Sequence, residues 1–334
     1  MALYYRHPLS LEHDTGAHPE NAGRIRAVEA RLESEGWCGF EVAEAPAARR
    51  EQVERVHTPA HVDMVEALSA RGGGAIDADT LASEASYRAA LRAAGAAAEG
   101  ASLLLSGSER QVFCGLRPPG HHAEAGRAMG FCLFNNVAVA AAHAIEACGA
   151  ERVMVVDWDV HHGNGTQEIF YGSDRVLFAS IHQSPLYPGT GAPSEAGSGA
   201  GEGYTVNLPV PPGAGNDLFL ALIQSVVVPI ALRFEPDLLI VSAGYDAHRE
   251  DPLAECAVDE AGYAEMAASL RDAAAELDVG VLVCLEGGYA PAALAASVGA
   301  TLRALTDTSL TPRRAPAEAA SEHRRRLAGR WSLS

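Results

Sequence analysis

From residue 1 to about 306 the chain alternates short apolar runs with longer stretches in which apolar positions recur every three or four residues. The short runs are LYY near residue 3, QVFCGL from 111, VMVVD from 153, VLFASI from 176, YTVNLP from 204, LLIVSA from 238 and VLVCLEGG from 281. Helical spacing covers Ala22 to Glu35, Ser83 to Leu105, Phe131 to Cys148, Asp217 to Phe234, Asp259 to Leu277 and Pro291 to Leu305. Strands that are apolar without alternation are buried on both faces, which is the condition of a parallel sheet. The alternation therefore predicts an α/β protein with a central, mostly parallel sheet and helices on both faces. No linker interrupts the pattern, so residues 1–306 read as one domain. The Gly-rich stretch from Gly189 to Gly203 reads as a long internal loop. After Thr306 the text turns polar and then reads HRRRLAGRW, which predicts a tail or terminal helix over 307–334, packed on the surface or on a partner subunit.

Composition narrows the chemistry. All 25 basic residues are arginine, since no lysine occurs anywhere in the chain. Schiff-base catalysis, pyridoxal phosphate attachment and a Walker-type phosphate loop each need a lysine and are excluded. The net charge of -18 argues against a nucleic-acid surface, which needs a basic patch. No apolar run reaches the roughly eighteen residues of a membrane span, and MALYYRHPLS has no targeting pattern, so a cytoplasmic protein without a membrane partner is expected. The six cysteines form no CxxC pair and sit mostly in apolar segments, as reduced packing residues do.

In open parallel sheets, ligands bind at the carboxyl ends of the strands, so the residues just past each apolar run are informative. QVFCGL leads into RPPGHHAEAG, VMVVD into DWDVHHGNG, LLIVSA into GYDAH, and VLVCL into EGGY. Asp159 and His161 lie two apart in an extended segment, so their side chains leave on the same side and can grip one ion. Asp246, at a neighbouring strand end, completes a three-ligand set. Two carboxylates and one imidazole leave a position open for water, as in a catalytic zinc site. Zn²⁺ suits these oxygen and nitrogen donors, and Fe²⁺ or Co²⁺ fits the same geometry. A two-manganese site would need more bridging carboxylates.

His121 and His122 come directly after a turn-forming Arg-Pro-Pro-Gly. Two imidazoles buried side by side repel if both are charged, so one is expected neutral and able to accept a proton. Each needs an orienting partner, and Asp157 for His121 and Asn164 for His122 are the natural candidates. Tyr289, after two glycines, brings a phenol to a strand end, where its hydroxyl can donate to an oxyanion.

Assembled, these elements resemble the histone deacetylase superfamily, metal-dependent amidohydrolases of the arginase-deacetylase fold. The stretches that carry the resemblance are RPPGHHA at 117–123, GFCLFNNVAVAA at 130–141, VDWDVHHGNGTQEIF at 156–170, LYPGTG at 186–191, VSAGYDAHREDPL at 241–253 and LEGGY at 285–289. Asn164, where class I members have aspartate, and the Asp-Pro-Leu at 251–253 make the chain most similar to class II enzymes and their bacterial relatives.

The resemblance implies metal ligands Asp159, His161 and Asp246, catalytic His121 and His122, and Tyr289 as transition-state stabiliser. It also implies a narrow channel for an acylated amine, lined by Gly130, Phe131 and Tyr187, the last in place of the usual phenylalanine. A structural potassium ion would be held by Asp157, Asp159, His161, Ser180 and Ile181. Leu253 is apolar where related acetylpolyamine specialists carry a glutamate, which favours acyl-lysine side chains of proteins or peptides as substrate. Acetylated polyamines are the alternative, with Asp77 or Asp79 as a cation-attracting carboxylate on another loop. A non-catalytic acyl-binding protein would lack a ligand, histidine or tyrosine, and none is lacking. An arginase-like ureohydrolase is disfavoured by the single-metal ligand set.

Overall fold

The computed structural model of the protein describes residues 1–333. Among the described residues there are ten strands: β1 (Ala2–Arg6), β2 (Glu41–Glu44), β3 (Gly73–Ala75), β4 (Leu81–Ser83), β5 (Gln111–Cys114), β6 (Val153–Asp157), β7 (Val176–Gln183), β8 (Thr205–Val210), β9 (Leu238–Ala243) and β10 (Gly280–Leu285). Eight of them form one sheet in the order β2-β1-β5-β10-β9-β6-β7-β8. Every pairing in it is parallel. β3 and β4 make a small antiparallel hairpin apart from it.

Period-two geometry sends alternate strand residues into two cores. Met154, Val156, Leu239, Val241, Val281 and Val283 pack with helices Ala22–Ser34, Glu260–Glu276 and Pro291–Thr306. Val153, Val155, Leu238, Ile240 and Leu282 pack on the other face against helices Ser86–Leu105 and Asn136–Ala147. This is the covered parallel sheet that the apolar runs predict.

The sheet order matters for function. β5, β10, β9 and β6 are consecutive, so the four strand ends that carry polar residues lie side by side at the sheet centre. Asp157 is level with Ser242 on one side and Ser180 on the other.

Several boundaries differ from expectation. Residues 131–135 are apolar enough to read as helix, yet Phe131 has φ +70° and the helix starts at Asn136, capped by the Asn135 side chain on the Ala138 N–H. β2, the β3–β4 hairpin and helix Pro59–Ala70 lack a legible period. The stretch Asn216–Phe234 is long and apolar enough to cross a membrane by length and composition, contrary to the sequence expectation. Here it packs its apolar residues into the core beside β6 and β9. A π-helical turn at Ile223–Val227 interrupts it, just before Pro229, which has no N–H to offer the ladder.

The loop from 189 to 203 is pinned by Glu195, which accepts from the N–H groups of Gly191 and Ala192 and from Gln167. The C-terminal segment forms helix Ser321–Trp331, which lies over the open edge of the sheet. Arg326 donates to the Asn207 carbonyl and Trp331 to that of Gly203. All six cysteines are free thiols.

Candidate metal centre and active site

Asp159, His161 and Asp246 converge with their donor atoms within 4.8 Å of one another. His161 Nδ1 stands 3.1 Å from both Asp159 Oδ1 and Asp246 Oδ2. The remaining oxygens are held by backbone: Asp159 Oδ2 accepts from the Gly287 N–H, and Asp246 Oδ1 from the Val160 N–H. All three residues are buried, and among the described residues no arginine bonds either carboxylate. Two carboxylates in one dry pocket need a cation between them. Burial, and then the charge of Asp159, raise Asp246 above its usual range. The donor set fits a divalent ion with a coordination position to spare.

The two histidines lie beside this cluster, rings 4.0 Å apart. His121 Nδ1 is 3.0 Å from Asp157 Oδ2, and His122 Nδ1 is 2.8 Å from Asn164 Oδ1. An amide oxygen can only accept, so His122 carries its proton on Nδ1 and presents Nε2 as a lone pair. Burial lowers both imidazoles. For His121 the carboxylates of Asp159 and Asp157 more than reverse this and hold it up to about 10. His122 falls well below the usual range, pushed down further by the positive charges of His121 and His161.

Glu286 is a site residue that sequence reasoning misses. It is fully buried, and its Oε2 accepts from the backbone N–H groups of Gly120 and His121 while Oε1 accepts from Ser242. It thereby fixes the turn that aims the histidine pair. Its signal is the glutamate of LEGGY, and the turn it holds lies more than a hundred residues away in sequence.

Above the cluster opens a cavity of about 230 Å³ lined by Asp79, His122, Gly130, Phe131, His161, Leu186, Tyr187, Leu253 and Tyr289. Gly130, Phe131, Tyr187 and Leu253 are thus brought together with the histidines and the tyrosine. Asp79 joins them, the carboxylate expected there only for a polyamine substrate, and Leu186 is a wall residue that the sequence does not mark. Gly130 has φ +55°, and a Cβ there would lie 2.4 Å from the His122 ring. Tyr187 sets its ring edge-on to His122 at 5.1 Å, and Phe131 meets Tyr289 at 5.7 Å.

Tyr289 reaches the cavity because Gly287 passes so close to the metal cluster that a Cβ would come 1.9 Å from Asp246 Oδ2. Arg24 stacks its guanidinium 5.0 Å from the Tyr289 ring centre and donates to the carbonyls of Glu286 and Gly288. Arg24 and Arg117 are both bonded to buried Glu20, so the tyrosine loop is tied to the start of the first long helix. Of the residues named for potassium, Asp157 and Ser180 are cross-strand partners and Ile181 is the next residue on the same strand.

A buried Asp-His-Asp cluster that could hold a metal ion, at the carboxyl ends of a parallel sheet with paired histidines and a phenol around one narrow cavity, has the make-up of a hydrolase site. Comparison with known proteins makes this specific. A histone deacetylase domain matches residues 18–305. Histone deacetylase 15 of Arabidopsis thaliana is 46% identical over 294 residues, covering 86% of this chain and 52% of that protein. A probable deacetylase of Archaeoglobus fulgidus is 42% identical over 291 residues, 85% of this chain and 80% of the relative. A histone deacetylase-like amidohydrolase of Pseudomonas aeruginosa is 39% identical over 278 residues, with 82% and 73% covered. The crystal structure of the HDA15 HD domain superposes with a TM-score of 0.92 at 41% identity, covering 99% of this chain and 95% of that one. The chain belongs to the histone deacetylase family and is a hydrolase of the deacetylase type.

Proposed function

We propose that the protein is a zinc-dependent amidohydrolase that removes acetyl or related acyl groups from the side-chain nitrogen of lysine in proteins or peptides. The observation that carries this is the cavity itself: His122, His161 and Tyr289 form its polar floor, while Phe131, Leu186, Tyr187 and Leu253 give it apolar walls suited to an alkyl chain.

Asp159, His161 and Asp246 would hold a zinc ion, which when bound would supply Lewis acidity for the acyl carbonyl and for a water molecule. His122 Nε2, left as a lone pair by the Asn164 bond, takes the proton of the attacking water. The same nitrogen, or Nε2 of His121, returns a proton to the leaving amine. His121 is oriented by its Nδ1 bond to Asp157, with its ring 4.0 Å from that of His122. Tyr289 donates its hydroxyl proton to the tetrahedral oxyanion, while Phe131 and Tyr187 close the walls against bulk water. Potassium at Asp157, Asp159, His161, Ser180 and Ile181 would balance the carboxylates beneath the histidines.

Asp79 in the cavity lining favours a second reading, N-acetylated polyamines, because a carboxylate at the rim attracts a distal ammonium. Turnover of an acetyl-lysine peptide, compared with that of acetylated putrescine and spermidine on protein of measured zinc content, decides between them. Faster peptide turnover, lost on chelation and restored by zinc, supports the proposal; a strong polyamine preference overturns the substrate assignment.

A further inference from the structure

Asp251 belongs to neither the metal cluster nor the cavity lining, yet it is buried to 7% exposure. Its carboxylate joins two loops. Oδ2 accepts from the Tyr289 N–H at 2.6 Å, and Oδ1 from the Leu253 N–H at 3.0 Å. Its own N–H donates to the His248 carbonyl at 2.8 Å, which anchors it to the loop just past Asp246. The tyrosine is therefore held on three sides: Arg24 over its ring, Phe131 against its edge, and Asp251 on its main-chain nitrogen. Gly287 and Gly288 precede it, so the backbone there has little stiffness of its own, and Gly288 takes φ +120°. A small rotation about that backbone swings the hydroxyl, at the far end of the side chain, through a larger arc. A donor displaced by a fraction of an ångström from the oxyanion loses much of its value.

We propose that Asp251 is a positioning residue for amide hydrolysis: it fixes the main chain of Tyr289 and locks it to the Leu253 wall, so that the oxyanion donor and the channel wall keep one register. This rests on the hydrolytic reading of the site. The carboxylate acts through the tyrosine and touches no substrate.

The test is Asp251→Asn made both in the wild-type protein and in Tyr289→Phe. Asparagine keeps one acceptor oxygen and turns an N–H group toward the other amide, which is already a donor, so one of the two bonds is lost. With zinc content matched, kcat should fall about tenfold or more in the wild-type background with KM little changed. In Tyr289→Phe the same change should cost less than about twofold, since the group being positioned is gone. Hydrogen exchange on zinc-free protein gives a readout independent of turnover: the Tyr289 amide should exchange faster in Asp251→Asn while amides of the central strands do not change. If the asparagine variant fails to fold, Asp251→Glu, which keeps the charge and misplaces it by one methylene, goes through the same cycle. Equal losses in both backgrounds, full activity, or an unchanged Tyr289 amide would overturn the proposal while leaving the hydrolytic reading intact. Zinc-replete wild-type protein that cleaves none of the acylated amines would overturn both.

Discussion

Mild acid should destabilise this fold through His57. Its ring is 2% exposed and both nitrogens are committed: Nδ1 donates to the Glu124 carbonyl at 3.0 Å, and Nε2 accepts from the Asn135 N–H at 2.8 Å. A second proton would face a donor, with the tilted His61 ring 5.0 Å away. Burial first, and then His61, lower the imidazole from 6.5 to about 3. A folded pKa below the unfolded one means that the unfolded chain binds more protons in between. The stability His57 allows is complete above about pH 6.5 and is lost as pH falls toward about 3. Each unit is worth about 1.4 kcal/mol, so at pH 5 the loss from this residue is roughly 2 kcal/mol. His61 is lowered as well, by burial, and adds with the same sign. Urea unfolding followed at pH 7.5, 6 and 5 measures the slope, and His57→Gln, which can still donate and accept at the two sites, isolates the residue. The variant should lose roughly 2 kcal/mol less than wild type between about pH 6.5 and 5. Identical slopes in the two proteins would refute the reasoning. Because Glu124 and Asn135 flank the loop that carries Gly130 and Phe131, activity at pH 5 should fall along with stability.

Tyr289→Phe should keep its zinc and lose about a hundred- to a thousandfold in kcat, the usual cost of about 2.7 to 4 kcal/mol for one oxyanion donor; metal analysis with steady-state kinetics checks it, and near-wild-type turnover in zinc-replete protein removes the assignment. Gly130→Ala meets two obstacles, a φ of +55° and a Cβ 2.4 Å from the His122 ring. Its backbone cost of about 1 to 2 kcal/mol should appear as a lower melting temperature, and displacement of His122 as at least a tenfold loss of kcat.

Much of the site is legible in the sequence because strand ends are short-range features. The runs VMVVD and LLIVSA announce where the sheet stops, and a polar residue just past a doubly buried strand has few reasons to be there other than chemistry. The partners Asp157 and Asn164 are readable for a related reason: both lie within a few residues of the ligands, on the segment that faces the histidines. The hidden part depends on contacts between distant loops. Asp79 enters the cavity from the β3–β4 hairpin, whose three-residue strands are too short to show a period. Leu186 looks like any exposed loop leucine until the Pro-rich segment 185–188 is folded over the channel. Glu286 and Asp251 stand out only as letters of the motifs LEGGY and DPL, but their work is to accept hydrogen bonds from backbone, and backbone partners leave no mark in a sequence. The helix start expected at Phe131 fails for the same reason. Its apolar letters fit a helix, while the positive φ that turns the chain back beneath His122 is set by packing.

The distribution of buried charge explains why this arrangement calls for ions. Asp157, Asp159, Asp246 and Glu286 are all at 1% exposure or less around one small volume. Arg24 and Arg117, the nearest buried cations on the adjoining elements, are both bonded to Glu20. That leaves His121 and His161 to balance four carboxyl groups, and burial pushes Glu286 up to about 7 and Asp157 up to about 6 despite His121 beside them. Taking carboxylates out of water costs several kcal/mol each unless they are neutralised, by a proton or by a cation. The Asp-His-Asp cluster, with three donor atoms within 4.8 Å of one another, is a group there that could hold such a cation.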